Sequence, residues 1–261
     1  MSLFRRPTVA AAAAAFALAP LAGLAAPAYG PALSALSYHP MVPAAGSTPF
    51  FVSHGGGHAN ATVTSDNWSG YAATGSTYTS VSTTFVQPSV KCSSGDQYSS
   101  FWVGLDGYSS SSVEQTGTEA DCVGRTAEYS AWYELYPAYP VSYSNTVRPG
   151  DSITETVTFS GSSTYTMTIK DTTEGWTKTT TKSSSGHARS SAEVIAEAPY
   201  SGGVLPLANF GTVNFSGSTV NGSSLSSFSP TAINMVSDSG AAEATTSSLS
   251  GGSFSIAWKS Q

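Results

Sequence analysis

From Asp66 onward, apolar and polar residues alternate with period two in short runs rich in Thr, Val, Tyr and Phe, separated by Gly, Ser and Asp. The alternation predicts strands over 81–86, 99–105, 128–136, 152–159, 165–169, 192–196, 208–215, 232–236 and 253–258. No segment carries a sustained 3.6-residue apolar stripe, and there is no internal repeat. Many short strands without helices predict an all-β chain, a sandwich or a barrel.

Period two also sorts side chains onto faces. In 128–136, Glu128, Ser130, Trp132, Glu134 and Tyr136 point one way, while Tyr129, Ala131, Tyr133 and Leu135 form a core face. Carboxylates beside large aromatics suit a cleft for sugars or peptides, although an exposed polar face with two incidental aromatics has the same pattern. In 191–197, Glu193, Ile195 and Glu197 oppose Ala192, Val194 and Ala196. A carboxylate on an otherwise apolar strand invites a functional reading. An edge strand kept soluble by charge is the alternative.

The N-terminal quarter reads differently. Arg5 and Arg6 precede an apolar, alanine-rich run broken by Pro20, and Ala26 and Ala28 fit a small-x-small cleavage rule. Residues 1–28 are therefore expected to be a secretory signal, with an uncleaved anchor as the rival. Residues 29–62, with no charged residue and the tract His54-Gly-Gly-Gly-His58, are expected to be a propeptide or linker. The domain then occupies 63–261. Export to an oxidising compartment lets Cys92 and Cys122 pair, worth roughly 3–4 kcal/mol in the chain-entropy model.

Composition removes whole classes of function. Of 261 residues, 77 are Ser or Thr and only 10% are charged, with ten basic and sixteen acidic residues and a net charge of −6. The basic residues are scattered singly, so there is no nucleic-acid footprint. Few charges suit work in acid. Two cysteines exclude thiolate metal sites. Of four histidines, His39, His54 and His58 fall in the N-terminal stretch and only His187 lies downstream, so zinc clusters and Ser-His-Asp arrangements lack parts. There is no Gly-x-Ser-x-Gly elbow, and Asp238-Ser239-Gly240 reads as a turn, because aspartic peptidases need two such loops. Neither metal nor cofactor is expected.

Six segments in unbroken order resemble the eqolisin family of glutamic endopeptidases. They are Asn67-Trp68-Ser69-Gly70-Tyr71, Phe101 to Gly107, Glu114-Gln115-Thr116-Gly117, Ala131 to Pro137, Pro149-Gly150-Asp151 and Ala192 to Glu197. The stretch from Thr231 to Trp258 resembles the family's closing strands. The resemblance implies a β-sandwich of two packed antiparallel sheets, of concanavalin-like or jelly-roll type. It places the catalytic glutamine on Gln115 and the catalytic glutamate on Glu193. The cleft aromatics and supporting acids fall on Trp102, Asp106, Trp132, Glu134 and Glu197. Ser130 and Glu119 depart from the pattern, where fungal members carry aspartates.

These residue types suit peptide hydrolysis. A carboxylate can take a proton from water and return it to the leaving amine, while a non-titrating amide stabilises the oxyanion in acid, where a histidine base is protonated. The expected protein is a secreted, monomeric acid endopeptidase acting on polypeptides, off the membrane once processed. Its own prosegment is expected to act as inhibitor, released when His39, His54 and His58 protonate. The alternatives are a sandwich glycoside hydrolase or lyase using two carboxylates such as Glu134 and Glu193, and a non-catalytic carbohydrate-binding module.

Overall fold

The computed structural model describes residues 62–108 and 110–261. The signal segment, the prosegment up to residue 61, and His39, His54 and His58 lie outside the described residues.

The first half forms β1 (Thr62–Ser65), β2 (Trp68–Thr74), β3 (Ser80–Val86), β4 (Ser100–Leu105), β5 (Val113–Val123), β6 (Thr126–Tyr136), β7 (Val141–Ser142) and β8 (Ser152–Phe159). The second half adds β9 (Thr164–Asp171), β10 (Trp176–Ser183), β11 (Ser191–Glu197), β12 (Thr212–Val220), β13 (Ser223–Ser224), β14 (Thr231–Val236), β15 (Ala242–Thr246) and β16 (Phe254–Trp258). A single 3-10 turn, Leu225–Phe228, interrupts them.

The strands form a sandwich whose two layers are joined by hydrogen bonding through β15. The front layer runs β14-β2-β11-β4-β5-β6-β7 and the back layer β10-β9-β8-β3-β12-β16. Pairing is antiparallel except where β1 adds to β14 in parallel. Strands β4, β5 and β11 lie over β3, β8 and β9. Between the layers Phe101, Val103, Leu105, Ala192, Val194 and Ala196 meet Phe85, Ile153, Val157, Met167, Ile169 and Phe215. This is the core that the alternating apolar positions build, and its burial drives the fold.

The outer face of the back layer explains the serine and threonine content. Hydroxyls pair across strands there, Thr84 with Thr154 at 2.9 Å, Ser82 with Thr156 at 2.7 Å, and Thr168 with Thr179 at 3.2 Å. β-branched residues favour the pleat and their hydroxyls satisfy one another, so few charges are needed on that surface.

The predicted strands all form, with one displaced. The run predicted at 208–215 becomes strand only from Thr212. Gly211, at φ 67°, donates its N–H to the Asn209 side chain and turns the chain first. The Asp238-Ser239-Gly240 triplet is a turn, with Gly240 N–H donating to the Ser237 carbonyl. Cys92 and Cys122 are bonded, with Cα atoms 5.4 Å apart.

Candidate active site

Strand β11 is paired on both sides, by β2 and β4, and all seven of its residues are buried. The edge-strand reading of its glutamates is therefore wrong. Ala192, Val194 and Ala196 enter the core between the layers, so alternation sends Glu193, Ile195 and Glu197 to the outer face of the front layer.

On that face, register arranges side chains in rows across the strands. One row is Thr231, Ala72, Glu193, Gly104, Gln115 and Glu134. The next is Ile233, Gly70, Ile195, Trp102, Gly117 and Trp132, and the third holds Trp68, Glu197, Ser100, Glu119 and Ser130. Glu193 and Gln115 are thus two strand steps apart, about 10 Å between backbones, with only a glycine between them. A Cβ on Gly104 would lie 2.9 Å from both Trp102 Cζ3 and Val113 Cγ1. A Cβ on Gly117 would lie 2.8 Å from Trp132 Cζ2. Glycine at both positions lets the two tryptophans close on the sheet beside the row.

The polar side chains of the row divide sharply in their bonding. Gln115 Nε2 donates to Glu134 Oε2 at 2.6 Å, which fixes the amide. Gln115 Oε1, Glu134 Oε1 and both Glu193 carboxyl oxygens are buried without a hydrogen-bond partner. Burial pushes the Glu193 carboxyl well above its ordinary range, and Asp106 and Glu114 push it further; the Ser191 hydroxyl and the Tyr108 backbone amide pull it down. Burial likewise raises Glu134, against the Gln115 hydrogen bond, while Glu197 adds to the rise.

Glu197 is occupied differently. Its Oε2 accepts the Trp102 indole N–H at 2.7 Å and its Oε1 the Asn67 amide at 3.1 Å. Trp102 in turn meets the edge of Trp68, with ring centroids 5.0 Å apart. Trp132, Val113 and Ile195 complete this apolar wall. Glu197 therefore holds the wall in place. The indole N–H groups of Trp68 and Trp132 are buried and unpartnered.

Similarity to known proteins shows the family. Residues 66–258 match the model of the peptidase A4 family. The chain belongs to that family, the eqolisins, and is a glutamic-type endopeptidase. Aspergillopepsin-2 of Aspergillus niger is 30% identical over 221 residues, 74% of this chain and 78% of that protein. The structure is similar to scytalido-glutamic peptidase solved with a transition state analog inhibitor (TM-score 0.66, 27% identity, 74% of this chain and 98% of that one). It is also similar to SCP-B, an eqolisin in complex with the tripeptide Ala-Ile-His (TM-score 0.62, 26% identity, the same coverage).

In this eqolisin Asp106 stands apart from the row. It adopts φ 68° at the end of β4, and its carboxylate accepts the backbone N–H groups of Arg189 at 2.7 Å and Ser190 at 2.8 Å. It anchors the loop that leads into β11 and does not face the outer row. Ser130 and Glu119 stand opposite each other in the third row, beyond Gln115. The glutamates proposed for a glycoside hydrolase, Glu134 and Glu193, lie three strand steps apart with Gln115 between them. That is about 14 Å between backbones.

Sequence reasoning missed several participants. Asn67 and Ser191 touch the site through ordinary polar groups that no spacing rule singles out. Glu114, next to Gln115 but facing inward, and His187, the one downstream histidine, lie 3.0 Å apart on the opposite side of the front layer.

Proposed function

We propose that this peptidase is a secreted, acid-active endopeptidase that cleaves unfolded polypeptides with Glu193 and Gln115, without a metal. The observation that carries the reading is the row in which these two buried side chains flank Gly104 on one face. Glu193 takes a proton from a water held between them, and the water oxygen bonds to the scissile carbonyl carbon. Gln115 donates an N–H to the oxygen on which charge develops, at a position set by Glu134. Glu193 then returns the proton to the amine nitrogen as the carbon–nitrogen bond breaks.

Burial is the main reason that the Glu193 carboxyl is raised, so a catalytic water bound beside it lowers it, while Ser191 and the Tyr108 amide remain beside it. Glu193 thereby reaches its base form in acid. Trp68 and Trp132 offer indole N–H groups to substrate carbonyls, and the apolar wall receives side chains of the peptide.

The N-terminal segment up to residue 62 is read as a signal followed by a prosegment that blocks the site and leaves when its histidines charge. The chain is read as a monomer. Digestion of casein or haemoglobin at pH 3–4, with pepstatin and EDTA present, tests the reading. Cleavage supports it; binding to polysaccharide without any cleavage refutes it.

A further inference from the structure

The inward side of the front layer carries a second polar cluster, directly behind the proposed catalytic row. Glu114 precedes Gln115 on β5 and points between the layers, where it is completely buried. Its carboxyl lies 3.0 Å from His187 Nδ1. His187 Nε2 contacts the Ser184 hydroxyl, and its ring meets Tyr165 edge-on at 5.8 Å. Three residues of one loop are thus held by the β4–β5 hairpin, His187 by Glu114, and Arg189 and Ser190 by Asp106. The Arg189 guanidinium lies 3.9 Å over Phe159, pinning the loop from the other layer. Three residues after Ser190 comes Glu193.

The histidine and two carboxylates lie within 4.8 Å of one another, a set with the composition of a metal site. Both His187 nitrogens and both Asp106 oxygens are already engaged within the protein.

We propose that Glu114 and His187 are positioning residues, whose buried contact fixes the loop that delivers Glu193 to the row it shares with Gln115. This role rests on the reading of Glu193 and Gln115 as the catalytic pair. A buried carboxylate and imidazole are costly where two apolar side chains pack more cheaply, and such pairs are kept where they specify one arrangement. Here the arrangement specified is the offset between β11 and β5, since each partner belongs to the chain of one proposed catalytic residue.

The contact depends on protonation. The charged and titratable groups facing it are Asp106, Tyr165, Arg189 and Glu193. Burial, and then Asp106, push the Glu114 carboxyl up to about 8, against a hydrogen bond from Tyr165. Below that value Glu114 is protonated and the pair holds. Above it a buried carboxylate faces the Asp106 carboxylate, and the grip on the loop weakens.

The test is kcat and KM on one peptide from pH 3 to pH 8, for the wild type, His187→Ala, Glu114→Gln and Glu155→Gln. His187→Ala is expected to lower kcat at least tenfold at pH 4 with KM within threefold, while circular dichroism shows the fold retained. Glu114→Gln, which cannot ionise, moves the alkaline limb of kcat upward by at least half a pH unit. Glu155→Gln, a control buried in the same interior, leaves kcat in acid within twofold. If His187→Ala does not fold, His187→Asn, which keeps an N–H near Nδ1, carries the same comparison with a smaller loss. A folded His187 variant with wild-type kcat, or an unmoved alkaline limb in Glu114→Gln, overturns the proposal. Glu193→Gln in the same assay separates the two readings. If it stays active, the catalytic pair is wrong; if it is inactive and the His187 variants are normal, only the positioning role fails.

Discussion

Glu193 and Gln115 occupy one register row on the outer face of the front layer, and the only residue between them is Gly104. Two strand spacings set their separation. The backbone of three paired strands sets the distance, and the glycine between them lets Trp102 and Val113 close on the sheet beside the pair.

Gly104→Ala tests that close packing. The added methyl meets Trp102 and Val113 at 2.9 Å, too close for real carbon contacts. Overpacking of this kind costs about 1–3 kcal/mol of stability. We expect kcat to fall by about a hundredfold, the scale of a 1 Å misplacement, in a protein that still folds. Wild-type kcat in this variant would show that the close packing at Gly104 has no role in catalysis.

Ser191→Ala tests the electrostatics of Glu193. The Ser191 hydroxyl lowers the Glu193 carboxyl against burial. Without this polar neighbour burial is less opposed, so the acid limb of kcat/KM should move up by about one pH unit, or about 1.4 kcal/mol. A downward shift or none contradicts the assignment of that limb to Glu193.

The interior carboxyls set the pH range of the fold. Glu155 is raised by burial alone and neither of its oxygens has a hydrogen-bond partner. Glu114 is raised to about 8 from 4.5. A carboxyl whose folded value lies above its unfolded value gives full stability below the unfolded value and loses it as pH rises through the folded one. For Glu114 the loss spans pH 4.5 to 8. Thermal midpoints should therefore fall from pH 4 to pH 8, and Glu155→Gln should raise the midpoint at pH 7 while changing it little at pH 4. A midpoint that rises with pH would refute this.

The Cys92–Cys122 bridge encloses Gln115 in its loop and ends on the same strand. Replacing both cysteines by serine should cost about 2–5 kcal/mol and lower kcat together with the melting temperature. Reactive thiols in the native protein would contradict the bond.

Much of this was legible in the chain itself, because strands that bury one face must alternate. Glu128 to Tyr136 and Ser191 to Glu197 give their faces directly, and with them the side on which Trp132, Glu134 and Glu193 sit. Strand β5 was harder to read. It buries Glu114, Thr116 and Thr118 on the core face and Gln115 on the other, so no apolar alternation marks it. Strand β10 carries threonines and lysines because it lies at the edge of the back layer, with five of its eight residues exposed. Register between strands far apart in sequence, such as Gly104 between Glu193 and Gln115, comes only from tertiary pairing. Asp106 could not be placed from local pattern, because its partners are backbone amides 83 and 84 residues away.

The most direct test of the central claim is kcat for Glu193→Gln on a defined peptide at pH 4, in a variant whose melting temperature is at least that of the wild type. Loss of general base and acid together predicts a fall of about a thousandfold or more. A folded Glu193→Gln enzyme that keeps more than about a tenth of wild-type kcat would contradict the account, since that loss is far below what removing a general base costs.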